Sequence, residues 1–75
     1  MISDKRVAEQ VLATMHECSG AFDRSVRLVR ETCSEEEFRA YRKAIGQVMG
    51  AMYFEVYRPL FQRFPDLEPE SFKPE

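Results

Sequence analysis

The sequence has no tryptophan, three glycines, two cysteines and a single histidine among its 75 residues. So few histidines and cysteines leave little material for a zinc or di-iron site, and no glycine-rich phosphate loop or nucleophile–base pair is visible. We therefore expect no cofactor and no catalytic activity. The longest uncharged stretch, residues 44–54, is about half the ~20 residues that a membrane-spanning helix needs, so we expect no membrane insertion.

Composition and charge indicate one small globular domain. The chain is 44% hydrophobic and 32% charged, with a formal net charge of −2, and its length allows one core of marginal size. Net negative charge disfavours general binding to nucleic acids. We expect a domain over residues 1–64 and a proline-rich acidic tail over residues 65–75. The first ten residues lack a signal-peptide core, so we expect a cytoplasmic protein with reduced thiols.

A first helix is predicted over about residues 4–32. Ser3 is its expected N-cap, with Asp4 in the first turn, where negative charge is favourable. Three columns of residues repeat every seven positions and together form one broad stripe. They are Ala8, Met15, Phe22 and Val29; Val11, Cys18, Ser25 and Thr32; and Leu12, Ser19, Val26 and Cys33.

An alternative is a break in this helix near Ser19-Gly20, which would give a three-helix bundle. A glycine inside a helix costs about 1 kcal/mol relative to alanine and often ends the helix. The stripe nevertheless stays in phase across Gly20, so we expect one long helix.

A second helix is predicted over about residues 35–58. Ser34 and Glu37 have the spacing of a capping box, and the acidic residues after Ser34 suit the positive end of the helix dipole. From Phe38 onward the apolar residues recur every three or four positions. The uncharged second half of the helix extends this apolar surface beyond one face, which is typical of a helix covered on more than one side.

Prolines set the end of the chain apart. Pro59 disfavours helical geometry at the residue before it, so the second helix is expected to kink or stop there. One further helical turn is expected before Pro65, followed by an extended tail. The sequence leaves open whether Leu67 and Phe72 hold the tail on the helices or whether the chain is disordered after Pro69.

The two helices are joined by a very short connection, which makes them antiparallel neighbours in a hairpin. A hairpin covers one side of each helix and would leave a large apolar patch exposed. We therefore expect an all-α fold in which two hairpins associate as a dimeric four-helix bundle. The candidate interface residues are Ile45, Gly46, Val48, Met49, Gly50, Met52, Tyr53, Phe54, Val56 and Tyr57.

Gly46 and Gly50 lie on successive turns of the second helix. Small residues at this spacing allow two helices to approach closely. The spacing is explained by close packing within the hairpin, by chance, or by a crossing point between two copies.

Basic residues gather near the turn of the hairpin and are candidates for phosphate contacts. Acidic residues are interleaved with them, and Asp23–Arg27 and Glu35–Arg39 have the spacing of helical ion pairs. We favour a self-compensated, solvated surface, with nucleic-acid binding as an alternative. The candidates are Arg24, Arg27, Arg30, Arg39, Arg42 and Lys43.

Single polar and aromatic residues suggest one further alternative, a bundle that binds a metal or a small ligand. His16 has acidic neighbours on its helix, but we interpret it as a surface histidine because no second helix supplies a matching ligand pair. Cys18 and Cys33 lie on the apolar stripe, where cysteine acts as a small hydrophobic residue, so we expect both to pack in the core. Of the two, Cys33 is the better candidate for a reactive thiol because it precedes the second helix.

Aromatic residues and methionines concentrate in the second half of the second helix and beyond it. Such a surface is more often core than an adaptable groove for a partner helix or an apolar ligand. The function expected from the sequence is that of a small structural or regulatory interaction module. It acts as a homodimer, and the apolar face of the second helix is where another protein would bind.

Overall fold

The computed structural model describes residues 1–72, and this part of the chain is helical with no β-strand. Helix α1 spans Lys5–Thr32 and helix α2 spans Glu35–Met52. A π-helical segment, Tyr53–Tyr57, joins α2 to the short helix α3, Arg58–Arg63. Two 3₁₀ turns, Pro65–Leu67 and Glu70–Phe72, follow. The predicted hairpin of two long helices is confirmed.

Helix α1 is continuous, and the alternative three-helix arrangement does not form. Gly20 lies inside the helix, and a Cβ there would meet only the guanidinium of Arg24, at 3.4 Å. The predicted N-cap was wrong by one residue. Asp4, rather than Ser3, caps the helix, and its carboxylate accepts hydrogen bonds from the backbone N–H groups of Arg6 and Val7 at 2.8 and 3.3 Å.

The turn of the hairpin is defined by the capping box that the sequence predicts. The Ser34 hydroxyl accepts from the Glu37 N–H at 3.2 Å, and the Glu37 carboxylate accepts from the Ser34 N–H at 3.0 Å. Hydrogen bonding to Ser34 lowers the pKa of Glu37, so the carboxylate that completes the cap is ionised at neutral pH. These two hydrogen bonds mark the end of the connection, and α2 begins at Glu35.

The π-helical segment is the local response to Pro59. A proline ring clashes with the carbonyl four residues earlier, here that of Glu55. In the wider π-helical turn the Arg58 N–H bonds to the Tyr53 carbonyl, five residues earlier. The chain therefore continues as a helix through Pro59 instead of stopping there.

This wider turn changes which side chains face α1. At ~100° per residue, an uninterrupted α-helix would place Phe61 about 180° around the axis from Met52. One extra residue in the turn reduces that angle to about 80°, and it moves Leu60 from about 80° to about 20°. Met52 itself lies against α1, with its sulfur 3.7 Å from the Ser19 hydroxyl. Leu60 and Phe61 are consequently turned inward, where both are buried.

Burial is concentrated at the open end of the hairpin, away from the turn. Among residues 1–72 the buried ones are Ala8, Leu60 and Phe61. The middle of the hairpin is held by polar contacts as well as apolar ones, since the Ser25 and Tyr41 hydroxyls lie 2.8 Å apart. The hairpin is thus closed tightly at one end only.

The tail folds back over this open end instead of extending away from it. Lys5 donates a hydrogen bond to Asp66, which raises the pKa of Lys5 and lowers the pKa of Asp66. The Phe72 ring lies 5.9 Å from that of Phe61. Both contacts tie the 3₁₀ turns to the helices. The prediction of an extended tail was therefore wrong for the described residues, which form 3₁₀ turns held on the helices. Residues 73–75 of that tail lie outside the described residues.

If the π-helical segment serves to turn Leu60 and Phe61 toward α1, a chain with one residue fewer in that segment should reach the same orientation with a regular α-helix. We expect the free energy of unfolding of a variant that lacks Glu55 and carries Pro59→Ala to lie within about 1 kcal/mol of the wild-type value. Urea unfolding followed by circular dichroism at fixed protein concentration measures this.

The matched control lacks Gln47, an exposed residue of α2, and also carries Pro59→Ala. That deletion rotates Met52 by about 100° relative to the first half of α2 and should cost ~2–5 kcal/mol, as core truncations do. Equal stability of the two deletion variants would contradict the phase argument.

Candidate functional site

Helix α2 has apolar surface that the hairpin leaves uncovered. No residue of α2 is buried, Val48 is 47% exposed, and Phe54 just after it is 61% exposed. The whole chain exposes 5861 Å², roughly 1,000 Å² more than the ~4,800 Å² of a compact monomer of this size. The chain measures 44 × 26 × 19 Å, an elongated shape that accounts for the excess.

The predicted interface residues all lie at least partly in contact with solvent. Ile45, Met49, Gly50, Met52, Tyr53, Val56 and Tyr57 are half-buried, and Gly46, Val48 and Phe54 are exposed. They do not form one surface. At ~100° per residue, Val48 lies about 40° from Met52, whereas Gly46 and Gly50 lie about 120–160° from it on the other side of the helix.

Gly46 and Gly50 do not serve close packing within the hairpin. A Cβ added at either position would meet nothing within 4 Å. The first of the three explanations drawn from the sequence is therefore wrong, and only chance or approach by a second molecule remains.

The aromatic cluster consists of Tyr53, Tyr57, Phe61 and Phe72. The Tyr57 and Phe61 rings are stacked, with centroids 5.7 Å apart and planes 9° from parallel. The Phe72 ring stands across this pair, at 68° to Tyr57 and 76° to Phe61. Tyr53 completes the cluster with its centroid 6.2 Å from that of Phe72. Phe72, which comes from the tail, thus packs against rings that belong to the π-helical segment and to α3.

Beside this cluster lies a groove with a volume of about 380 Å³, within the size range of small-ligand sites. One wall comes from α1 and the other from the cluster and the tail. Its lining residues are Glu9, Leu12, Ala13, His16, Tyr57, Phe61, Leu67, Pro69 and Phe72. The sequence pointed to the tyrosines and phenylalanines, but the α1 wall was missed, because it depends on how the tail folds back. Met49 and Met52 are not among the lining residues.

The basic residues near the turn are only partly brought together. Arg27, Arg30 and Arg42 line a shared cleft of about 270 Å³ that Asp23 also lines. Arg39 and Lys43 line a neighbouring cleft with Glu35, and Arg42 lines this cleft as well. Arg24 lines neither cleft, and its guanidinium lies beside Gly20.

Charge compensation in this region is partial. The predicted Glu35–Arg39 ion pair forms, with a nitrogen–oxygen distance of 2.9 Å. The other predicted pair, Asp23–Arg27, is not among the ion pairs of the described residues. Arg42 lies over the Phe38 ring instead of pairing with an acid, at 5.9 Å from the ring centroid.

His16 is one of the residues that line the groove. Within residues 1–72, no cluster of three or more His, Cys, Asp or Glu residues is close enough to hold a metal ion. Both cysteines are free thiols. Cys18 is half-buried, but Cys33 is exposed. The prediction that Cys33 packs in the core was therefore wrong, because α1 has already ended where the stripe reaches it.

Comparisons of this chain with protein-family models, with curated proteins and with solved structures gave no match. A search of residues 1–72 for a helix of the length and apolar character needed to cross a bilayer found none. Function must therefore be inferred from the geometry of the chain itself.

The exposure of the two thiols leads to a direct expectation. Because only a solvent-accessible thiolate reacts, Cys33 should react with Ellman's reagent at least about tenfold faster than Cys18. The Cys33→Ser variant should lose the fast phase and Cys18→Ser should keep it. Loss of the fast phase in Cys18→Ser would show that α1 is more open around residue 18 than the structure indicates.

Proposed function

We propose that this protein is a small protein–protein interaction module that acts as a homodimer, in which two hairpins form a four-helix bundle. The observation that carries the proposal is the exposure of α2, an 18-residue helix with no buried residue. A helix of this length normally buries one face, and in a four-helix bundle each helix packs against two neighbours. A second hairpin supplies the missing neighbour.

The amount of exposed surface fits this proposal. A stable interface buries ~800 Å² on each partner, which is comparable to the roughly 1,000 Å² by which the chain exceeds a compact monomer. A larger partner is not required to cover it. The further expectations, that the module acts in the cytoplasm and that another protein binds the apolar face of α2, belong to the same proposal.

The dimer proposal is tested by mass. Light scattering or analytical ultracentrifugation at about 10 μM should give twice the chain mass, because the surface in excess of a compact monomer is comparable to one side of a standard interface. The melting temperature should also rise with protein concentration, as it does when association stabilises the folded state. A monomeric mass up to ~100 μM, with a concentration-independent melting temperature, would overturn the proposal.

A second candidate function is binding of a small apolar molecule, and the observation that favours it is the groove beside the aromatic cluster. Aromatic and aliphatic walls of this kind bind ligands mainly through apolar contact. Nucleic-acid binding is a weaker alternative. Its geometric support is the shared cleft of Arg27, Arg30 and Arg42 and the neighbouring cleft of Arg39 and Lys43, and an acidic residue also lines each of them.

Toluene is a suitable probe for the groove. In an NMR titration, the methyl resonances of Leu12 and Leu67 should shift, and Phe72→Ala should weaken binding several-fold by removing one wall. Phe54→Ala is the matched control, because Phe54 is exposed and is not among the groove's lining residues. Equal effects of the two substitutions, or no shift at either leucine, would exclude the groove as a ligand site.

A further inference from the structure

We infer that the second copy docks on one particular face of the hairpin, here called the uncharged face, which is formed by a second stripe of α1 and the neighbouring side of α2. This inference rests on the proposed homodimer and specifies its contact surface. The second stripe consists of Val7, Val11, Thr14, Cys18, Ala21, Ser25 and Leu28.

The second stripe has the periodicity of a helix-packing seam. Its members are spaced by four and three residues in alternation, the spacing that keeps side chains on one side of a helix over many turns. The stripe that includes the buried Ala8 has the same alternation, shifted by one residue. Its members are Ala8, Leu12, Met15, Ser19, Phe22, Val26 and Val29. A helix with two adjacent seams is built to contact two neighbours, and the hairpin provides only α2.

Charge is excluded from both stripes. Every charged residue of α1 lies outside them, at Lys5, Arg6, Glu9, Glu17, Asp23, Arg24, Arg27, Arg30 and Glu31. The second stripe is nevertheless accessible, since Val7 is 43% exposed, Leu28 is 60% exposed and Ala21 is exposed. A surface that is open to water and yet free of charge over about six helical turns is unusual for a solvated helix face.

Helix α2 continues this face. The hydrogen bond between Ser25 and Tyr41 places Tyr41 next to the second stripe. Ala44 and Val48 follow Tyr41 at the spacing of one helix side, and both are exposed. Ala44 has a small side chain, which allows another helix to come close. The uncharged face therefore spans both helices of the hairpin.

The opposite side of α2 is less suited to a second copy. At ~100° per residue, Arg39 lies about 20° from Gly46, and Lys43 lies about 20° from Gly50. A partner seated over the two glycines would remove these cations from water, and charged groups are depleted from the centres of interfaces for that reason. On the α2 side of the uncharged face the comparable charged residue is Glu37, about 20° from Ala44, but it lies in the first turn of α2 before Tyr41, so no charged residue of that side falls between Tyr41 and Val48.

The size and symmetry of the uncharged face also fit a second copy. The second stripe runs ~32 Å along α1 at ~1.5 Å per residue, and two helices side by side are about 20 Å wide. The projected area of ~600 Å² approaches the ~800 Å² per partner of a standard interface. A twofold dimer places the same patch on both sides of the contact, and a patch without charge meets its own copy without repulsion.

The test compares arginine substitutions at exposed positions on the two sides. Ala21→Arg on α1 and Val48→Arg on α2 should each raise the dimer dissociation constant at least tenfold, measured by analytical ultracentrifugation. Gly46→Arg is the matched control, two residues from Val48, where an added Cβ would meet nothing within 4 Å. It should leave the dissociation constant within about threefold of the wild type, and circular dichroism should show that all three variants remain helical.

The outcomes separate this inference from the proposal beneath it. A monomeric wild type would overturn the homodimer itself. A dimeric wild type that is weakened by Gly46→Arg and unaffected by Ala21→Arg and Val48→Arg would keep the homodimer and overturn the uncharged face. Weakening by both α1 and α2 substitutions, with Gly46→Arg silent, would support the face across both helices.

Discussion

Two helices lying side by side can cover only one side of each other, and the properties of this chain follow from that constraint. The buried residues among positions 1–72 are Ala8, Leu60 and Phe61, all near the open end of the hairpin. Between the open end and the turn, contacts such as the hydrogen bond between Ser25 and Tyr41, which are both half-buried, hold the helices together. The hairpin therefore covers only part of its own apolar surface, and the part that stays exposed determines what it can bind.

The small core depends on one departure from regular helix geometry. Without the π-helical turn before Pro59, Phe61 would face away from α1, where it is now buried and stacked on Tyr57. Proline thus acts here by changing helical phase instead of ending the helix. The same turn gives Phe72 a place to dock, so the core, the aromatic cluster and the groove share a single origin.

Local features of the fold were predictable from the sequence, and features that depend on phase or on distant contacts were not. Ser34 and Glu37 interact within one turn of helix, so their spacing alone predicted the cap. Continuity through Gly20 followed from an unbroken seven-residue pattern. Pro59 indicated a disturbance but not its direction, because a stop, a kink and a wider turn all relieve the same clash. The groove could not be anticipated, since its α1 wall meets the tail only after the chain folds back.

The second stripe of α1 is easily overlooked when a sequence is searched for only one packing face per helix. Val7, Thr14, Ala21 and Leu28 repeat every seven residues and were visible in the sequence, but small and polar members make the column look weakly apolar. The stripe is distinctive because it lacks charge, not because it is strongly hydrophobic. The lack of charge is informative only because Val7 and Leu28 are exposed to solvent in the structure. On α1 the groove residue His16 lies about 140° from Val11 of this stripe. Association through the uncharged face would therefore leave the groove open, so self-association and ligand binding need not compete.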